Sequence, residues 1–285
     1  MKLIYSIRLL ERRMAWARRA GKKIGFVPTM GALHEGHLSL IRRARRAVGP
    51  RGTVAVSLFV NPPQFDQKTD FRRYPKRFFK DAARCRKAGV DLLFAPTAAA
   101  MYPPGFSTWV EEQALSRPLC GARRPGHFRG VCTVVAKLFN LVRPDVAVFG
   151  QKDAQQAMVI QRMARDLNFP VRIMVAPTVR EADGLAMSSR NQHLDPTERR
   201  RARGLNETLR MTRSAFRKGL RDAGKLQALG KEHLHRIHGL RLDYLELADG
   251  ATLRSMRHPA VAKKGALLAV AAFVGKTRLI DNVRL

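Results

Sequence analysis

Only three of the 285 residues are cysteine. Cys85, Cys120 and Cys132 are odd in number and show no CxxC spacing, which excludes a disulfide framework and a cysteine-rich zinc site. No uninterrupted apolar run reaches the roughly 18 residues a membrane-spanning helix needs. The opening MKLIYSIRLLERRMAWARR carries charges every few positions and leaves no apolar signal-peptide core. A reducing cytoplasmic setting, with no membrane partner, is the expectation. Acidic residues are scarce, 22 against 54 Lys plus Arg, which leaves a formal net charge of +32.

That excess attracts polyanions by counterion release, so nucleic-acid binding is the first rival function. The distribution of the charge argues for something simpler. Arg42, Arg43, Arg45 and Arg46, and later Arg199, Arg200, Arg201 and Arg203, alternate with apolar residues at helical spacing, as on solvated faces of amphipathic helices. No basic-aromatic RNA signature, zinc finger or long basic tail accompanies them. Nucleic acid is therefore not an expected partner, and polyanion binding stays a rival or secondary activity.

What is present is a regular alternation. IGFV (24–27), TVAVSLFV (53–60), DLLFAP (91–96), DVAVFG (145–150) and VRIMVAP (171–177) read as strands. Between them LSLIRRARRAV, the stretch from Tyr74 to Ala88, GVCTVVAKLFNLV and AQQAMVIQRMARDL are apolar at three-to-four spacing. Strands alternating with helices imply a parallel sheet covered on both faces, with ligands beyond the carboxyl ends of the strands. After about residue 178 two helical runs, the second reaching His238, precede DYLELAD and ALLAVAAFVGKTRLIDN, an α+β pattern. The fold class is thus α/β, a doubly wound parallel sheet over 1–178 with a smaller α+β domain over 179–285 that covers the active site.

The chemistry concentrates in IGFVPTMGALHEGHLSL, 24–40. Gly31 to Gly36 has the glycine spacing of a P-loop, but His37 and Leu38 replace its lysine and hydroxyl residue. A strand-to-helix turn here would aim free N–H groups at an anion. His34 and His37, three apart, would share one helix face. HEGH is neither HExxH nor HxxEH and no third ligand is evident, so the pair reads first as donors to a phosphoryl group, with metal ligands and structural histidines as alternatives.

HxGH at the end of the first strand of a Rossmann-like sheet resembles the nucleotidylyltransferase superfamily, which transfers AMP from ATP. PTMGALHEGHLSL narrows the resemblance to the pantoate–β-alanine ligase family. VNPPQF (60–65), YP (74–75), RPGHFRGV (124–131), FGQKDAQQ (149–156), READGLAMSSRN (180–191) and TRLIDN (277–282) match in family order over most of the chain.

The resemblance implies an AMP-forming ligase, with ATP and pantoate giving an enzyme-bound pantoyl adenylate that β-alanine then attacks. It implies Mg²⁺ with the ATP, no metal held by protein ligands alone, and a homodimer. The implied catalytic residues are His34, His37, Lys152, Ser188, Ser189 and Arg190. The nucleotide site adds Pro28, Thr29, Met30, Gly31, Gly150, Asp153, Val179 and Met187, and pantoate falls to Asn61, Gln64, Gln156 and Met30. Tyr74, Arg124 and His127 are wall residues by the same resemblance. Three departures remove an acid or a ring: Cys120 in LCG where the family has LEG, Gln151 and Ala154 in FGQKDA, and AAAMYP at 98–103.

Overall fold

All five apolar runs form parallel strands in a computed structural model, which describes every residue except 67–70, 73, 76, 258 and 259. They are β2 (Ile24–Thr29), β3 (Thr53–Leu58), β4 (Leu92–Phe94), β5 (Val146–Gly150) and β6 (Arg172–Ala176). A sixth strand, β1 (Lys2–Ile4), precedes them and pairs with β4 at the sheet edge. The HxGH segment therefore follows the second strand of the chain and not, as expected from the sequence, the first. Three residues are too few for periodicity to reveal β1.

The sheet order is β1-β4-β3-β2-β5-β6, so the chain works outward from β2 in one direction and then returns to build the other side from β5. That reversal makes β2 and β5 the switch point, where ligands of open parallel sheets bind. Every residue of β3, and all but Pro28 of β2, is buried, as expected of strands covered on both faces.

Between the strands run α1 (Ile7–Arg19), α2 (Glu35–Val48), α3 (Phe78–Lys87), α4 (His127–Val142) and α5 (Ala154–Asp166). In α2 the buried stripe is Ile41, Ala44 and Val48. Burying a large aliphatic side chain of this kind contributes about 1.5–3 kcal/mol each. Gly25 of β2 lets the helix lie close, because a Cβ there would meet the Ala44 carbonyl at 3.2 Å. The helix expected from Tyr74 begins only at Phe78; residues 73 and 76 of that stretch lie outside the described residues.

The carboxyl-terminal part is an antiparallel sheet of β7 (Leu240–Ala248), β8 (Leu267–Val274) and β9 (Thr277–Arg284), with α6 (Pro196–Arg217) and α7 (Ala223–His235). Their shared core includes Leu205, Leu209, Leu226, Leu245, Leu268 and Val270. Asp195 caps α6, its carboxylate accepting from the N–H groups of Thr197 and Glu198 at 2.7 Å each, with Pro196 in the first turn.

The chain divides into two compact units. The second comprises Thr178–Leu285 together with two distant segments, Arg117–Cys120 and Lys152–Gln155. Among the described residues no helix is long and apolar enough to cross a membrane.

Candidate active site

In the first unit the candidate residues follow three neighbouring strands. Phe26 and Val27 carry the chain through the core to Pro28 and Thr29, after which a sharp turn places Gly31 at φ 91° and Ala32 at φ 50°. The turn is held from three sides. Thr29 Oγ donates to the Ser57 carbonyl at 2.9 Å and accepts from the Gly31 N–H at 3.2 Å. Asp81, 2 % exposed on α3, accepts from the N–H groups of Ala32 at 2.7 Å and Leu33 at 2.9 Å. One helical turn on, Arg84 donates to the Leu33 carbonyl.

His34 is not helical: its backbone is extended at φ −134°, ψ 178°, and it caps α2, which starts at Glu35. The two imidazoles nevertheless meet, with ring centroids 4.1 Å apart at 44°. The His34 N–H donates to His37 Nδ1 at 3.3 Å. A ring nitrogen that accepts is unprotonated, so the proton of neutral His37 sits on Nε2. The amino end of α2, with its partial positive charge, lies directly behind the pair, the setting in which helices favour an anion. Among the described residues no group of three or more His, Cys, Asp or Glu side chains could hold a metal ion.

Beyond β3 the chain enters a single 3₁₀ turn, Pro62–Gln64. Asn61 is buried, its amide donating to the Gly130 carbonyl at 3.0 Å and accepting from the Tyr102 hydroxyl at 2.7 Å. Both ends of that amide thus have protein partners, and it fixes the start of the turn. The Gln64 carbonyl lies 2.7 Å from His127 Nδ1 and accepts from Arg124 at 3.2 Å. Arg124 also holds Asp66 at 2.9 Å. Burial is the largest single influence on that carboxyl and pushes it up, but the Arg124 charge and hydrogen bond outweigh it and hold it below its ordinary value.

Gly130 allows this contact. A Cβ at that position would meet the Pro63 carbonyl oxygen at 2.5 Å and the Gln64 nitrogen at 2.8 Å, so only glycine lets α4 lie against the turn. Tyr74 packs edge-on to Phe65, ring centroids 5.7 Å apart. Met30, Gln64, Gly150 and Gln156 are half-buried at or just beyond the carboxyl ends of β2, β3 and β5.

The second unit carries the remaining candidates. Lys152, its side chain 20 % exposed, lies 3.8 Å from Asp153, and its carbonyl accepts from the Asn282 amide at 2.9 Å. Asn282 belongs to TRLIDN, whose Asp281 grips Arg180 through two bonds of 2.6 and 3.0 Å. READG is thereby locked as a hairpin, with Arg180 bridging Ala186 and the Met187 N–H donating to the Val179 carbonyl at 3.0 Å. Arg199 reaches Asp183 at 2.8 Å and also pairs with Glu181. Asn191 donates to Glu181 at 2.6 Å and to the Ala186 carbonyl at 3.0 Å.

The hairpin presents Ser188, Ser189 and Arg190, all half-buried, as the cap and start of a short 3₁₀ turn; Ser188 Oγ accepts from the Arg190 N–H at 3.2 Å. Gln155 is buried and holds the Arg117–Cys120 segment, donating to the Pro118 carbonyl at 2.6 Å and accepting from the Cys120 N–H at 3.0 Å. Cys120, in place of the family's glutamate, is thus placed through its backbone.

A family model described as pantoate-beta-alanine ligase matches residues 2–284. The chain belongs to the pantoate–β-alanine ligase family. Pantothenate synthetase 1 of Bradyrhizobium diazoefficiens is 53 % identical, over 99 % of this chain and 98 % of its own length. The pantothenate synthetase of Thermotoga neapolitana is 51 % identical, over 99 % of both. The crystal structure of pantothenate synthetase from Thermus thermophilus matches with a TM-score of 0.92 at 45 % identity, covering 99 % of each chain. A ligase of the same family from Francisella tularensis, complexed with beta-gamma ATP and beta-alanine, matches with a TM-score of 0.81 at 32 % identity, over 100 % of this chain and 97 % of that one. The family's α/β fold is therefore the fold of this chain.

Sequence reasoning missed the residues that hold the ligase motifs in place. Asp81 and Arg84 sit on an ordinary amphipathic helix with no motif around them, and Gln155 lies inside FGQKDAQQ beside the more conspicuous Gln156. Arg180, Asp281 and Asn282 stand in quoted motifs, but their joint role is a matter of contacts far apart in sequence.

Proposed function

We propose that the protein is the ATP-dependent ligase that joins pantoate to β-alanine, releasing AMP and pyrophosphate by way of a pantoyl adenylate. The observation that carries this reading is the HxGH turn itself: two imidazoles at the amino end of a 14-residue helix, held rigidly by Asp81 and Thr29, in a chain of this family. In the first step a pantoate carboxylate oxygen attacks the α-phosphorus, and the bond from that phosphorus to the bridging oxygen breaks. Pyrophosphate leaves with the electron pair. Negative charge builds on the phosphate oxygens as this happens, and His34, His37 and the α2 amino end oppose it with pre-placed donors.

Lys152, Ser188, Ser189 and Arg190 are proposed to add to that stabilisation, with Pro28, Thr29, Met30, Gly31, Gly150, Asp153, Val179 and Met187 lining the nucleotide. Gln64 and Gln156 are proposed to orient the carboxylate and hydroxyls of pantoate. Asn61, whose amide is already engaged at both ends, takes part by fixing the Gln64 turn. In the second step the β-alanine amine attacks the acyl carbon, the acyl–oxygen bond to AMP breaks, and the amine gives up a proton.

Mg²⁺ is proposed to accompany ATP, where it neutralises phosphate charge while keeping most of its waters. That mode suits a chain whose described residues offer no cluster of three ligands. A cytoplasmic homodimer, with domains over 1–178 and 179–285, completes the proposal. Purified protein should release pyrophosphate only when ATP and pantoate are both present, and AMP and pantothenate once β-alanine is added. Absence of pyrophosphate with all three substrates would refute the reading.

A further inference from the structure

The turns that lead into the strands gather on the amino edge of the parallel sheet, at the opposite end from the residues that follow β2, β3 and β5. Backbone bonds tie these turns into one rim: Thr53 N–H to the Lys23 carbonyl at 2.8 Å, Asp145 N–H to that of Ile24 at 2.9 Å, Arg172 N–H to that of Asp145 at 3.0 Å, and Asp91 N–H to that of Val54 at 3.0 Å. With neighbouring strands about 4.8 Å apart, the five strands from β4 to β6 make a rim about 19 Å wide.

Among the described residues the exposed bases along it include Lys23, Arg46, Arg51, Arg86, Lys87, Arg143 and Arg172. The acids of the rim are occupied. Asp91 accepts from the Val54 N–H at 2.7 Å and pairs with Arg45; Asp145 accepts from the Ile24 N–H at 2.6 Å; Asp166 pairs with Arg165 at 2.8 Å. Arg18 is held below its ordinary value, by burial first and the Arg143 charge second, against the Asp145 carboxylate. Arg46, Arg86 and Lys87 lie in the last turns of helices, where a cation complements the helix dipole. Arg143 caps the end of α4 and shares that reason, whereas Lys23 and Arg51 lie in the turns beyond the caps of α1 and α2. Beside them Trp16 is 55 % exposed, with the Lys22 ammonium 5.1 Å from its ring centroid.

A row of cations next to an exposed indole is the chemistry that holds single strands, phosphates on the bases and an unpaired nucleobase on the ring. We propose that the amino-edge rim binds single-stranded nucleic acid without sequence preference, as an activity separate from the ligase reaction. Composition alone favoured solvated helix faces; the collection of turn cations on one edge is what points to a ligand.

The test is fluorescence anisotropy with a labelled oligothymidylate of about 20 nucleotides, titrated over a range of salt, for the wild type and for Lys23→Gln/Arg51→Gln/Arg143→Asn. Removing three phosphate contacts should weaken binding at least tenfold near about 0.1 M salt, and flatten the slope of log K against log salt by about 2. Pyrophosphate release should stay at the wild-type rate, which shows the triple variant folded. Should it not fold, Arg51→Gln alone should flatten the slope by about 0.7. Trp16→Ala should weaken binding at least about fivefold through lost stacking. The proposal is overturned if the wild type does not bind near that salt, if the variants bind as the wild type does, or if a duplex of equal length or phosphatidylserine vesicles bind more tightly than the single strand.

Discussion

His37 has its tautomer set by a neighbour's backbone: the His34 N–H occupies Nδ1, so the proton of the neutral ring sits on Nε2. Lys152 is placed the same way, through the Asn282 amide on its carbonyl, while its ammonium lies 3.8 Å from the adjacent Asp153. Lys152→Ala should therefore lower the rate of pyrophosphate release by about 10²–10³, the effect of losing one pre-placed donor to transition-state charge. Its melting temperature should stay within a few degrees of the wild type. Normal release by the variant would show that Lys152 does not act on the phosphate. The identity of such residues was legible in the sequence because FGQKD and MSSRN are compact motifs. Their supports were not, because Asp81 reaches a loop 48 and 49 residues away, and Arg180 meets Asp281 across 101.

At the scale of elements the contact between α4 and the Pro62–Gln64 turn is tightly constrained. Gly130→Ala would drive a methyl into the Pro63 carbonyl oxygen, which backbone cannot yield without moving the turn. Overpacking of this kind costs about 1–3 kcal/mol. The variant should lose thermal stability and show a raised KM for pantoate, with a smaller change in that for ATP, because Gln64 moves while the HxGH turn stays clamped by Asp81 and Thr29. Equal changes in both constants would contradict the separation of the two roles. The strands β2 to β6 were readable as apolar runs between helical patterns, since buried parallel strands carry little else. β1 was not readable at three residues, and α3 starts at Phe78, later than its pattern, which overlooked that Pro75 disfavours a helical Tyr74 before it.

For the whole molecule the net charge of +32 dominates the response to acid. Asp66, Asp183 and Asp249 are all held below the ordinary carboxylate value. In Asp183, burial is the largest single influence and raises it, but the Leu185 N–H and Arg199 together outweigh it. In Asp249, the Thr252 and Ala251 hydrogen bonds act directly. A carboxyl lowered in the folded state contributes stability that is complete above its unfolded value near about 3.9 and is lost as pH falls through the lower folded value. Protonation of the remaining acids meanwhile raises the positive charge, and the self-repulsion with it. The melting temperature should be level from about pH 7 to 5 and fall steeply below about pH 4, less steeply at high salt, where repulsion is screened. Asp183→Asn should flatten part of that acid limb; an unchanged limb would contradict the assignment.

The central claim is that pantoate is activated by bonding its own carboxylate oxygen to the α-phosphorus. When the amine attacks the acyl carbon, that oxygen must depart with AMP. Pantoate labelled with ¹⁸O in its carboxylate, turned over with ATP and β-alanine and followed by mass spectrometry, should yield AMP carrying one ¹⁸O and unlabelled pyrophosphate. AMP without label, or label in pyrophosphate, would contradict the adenylate route.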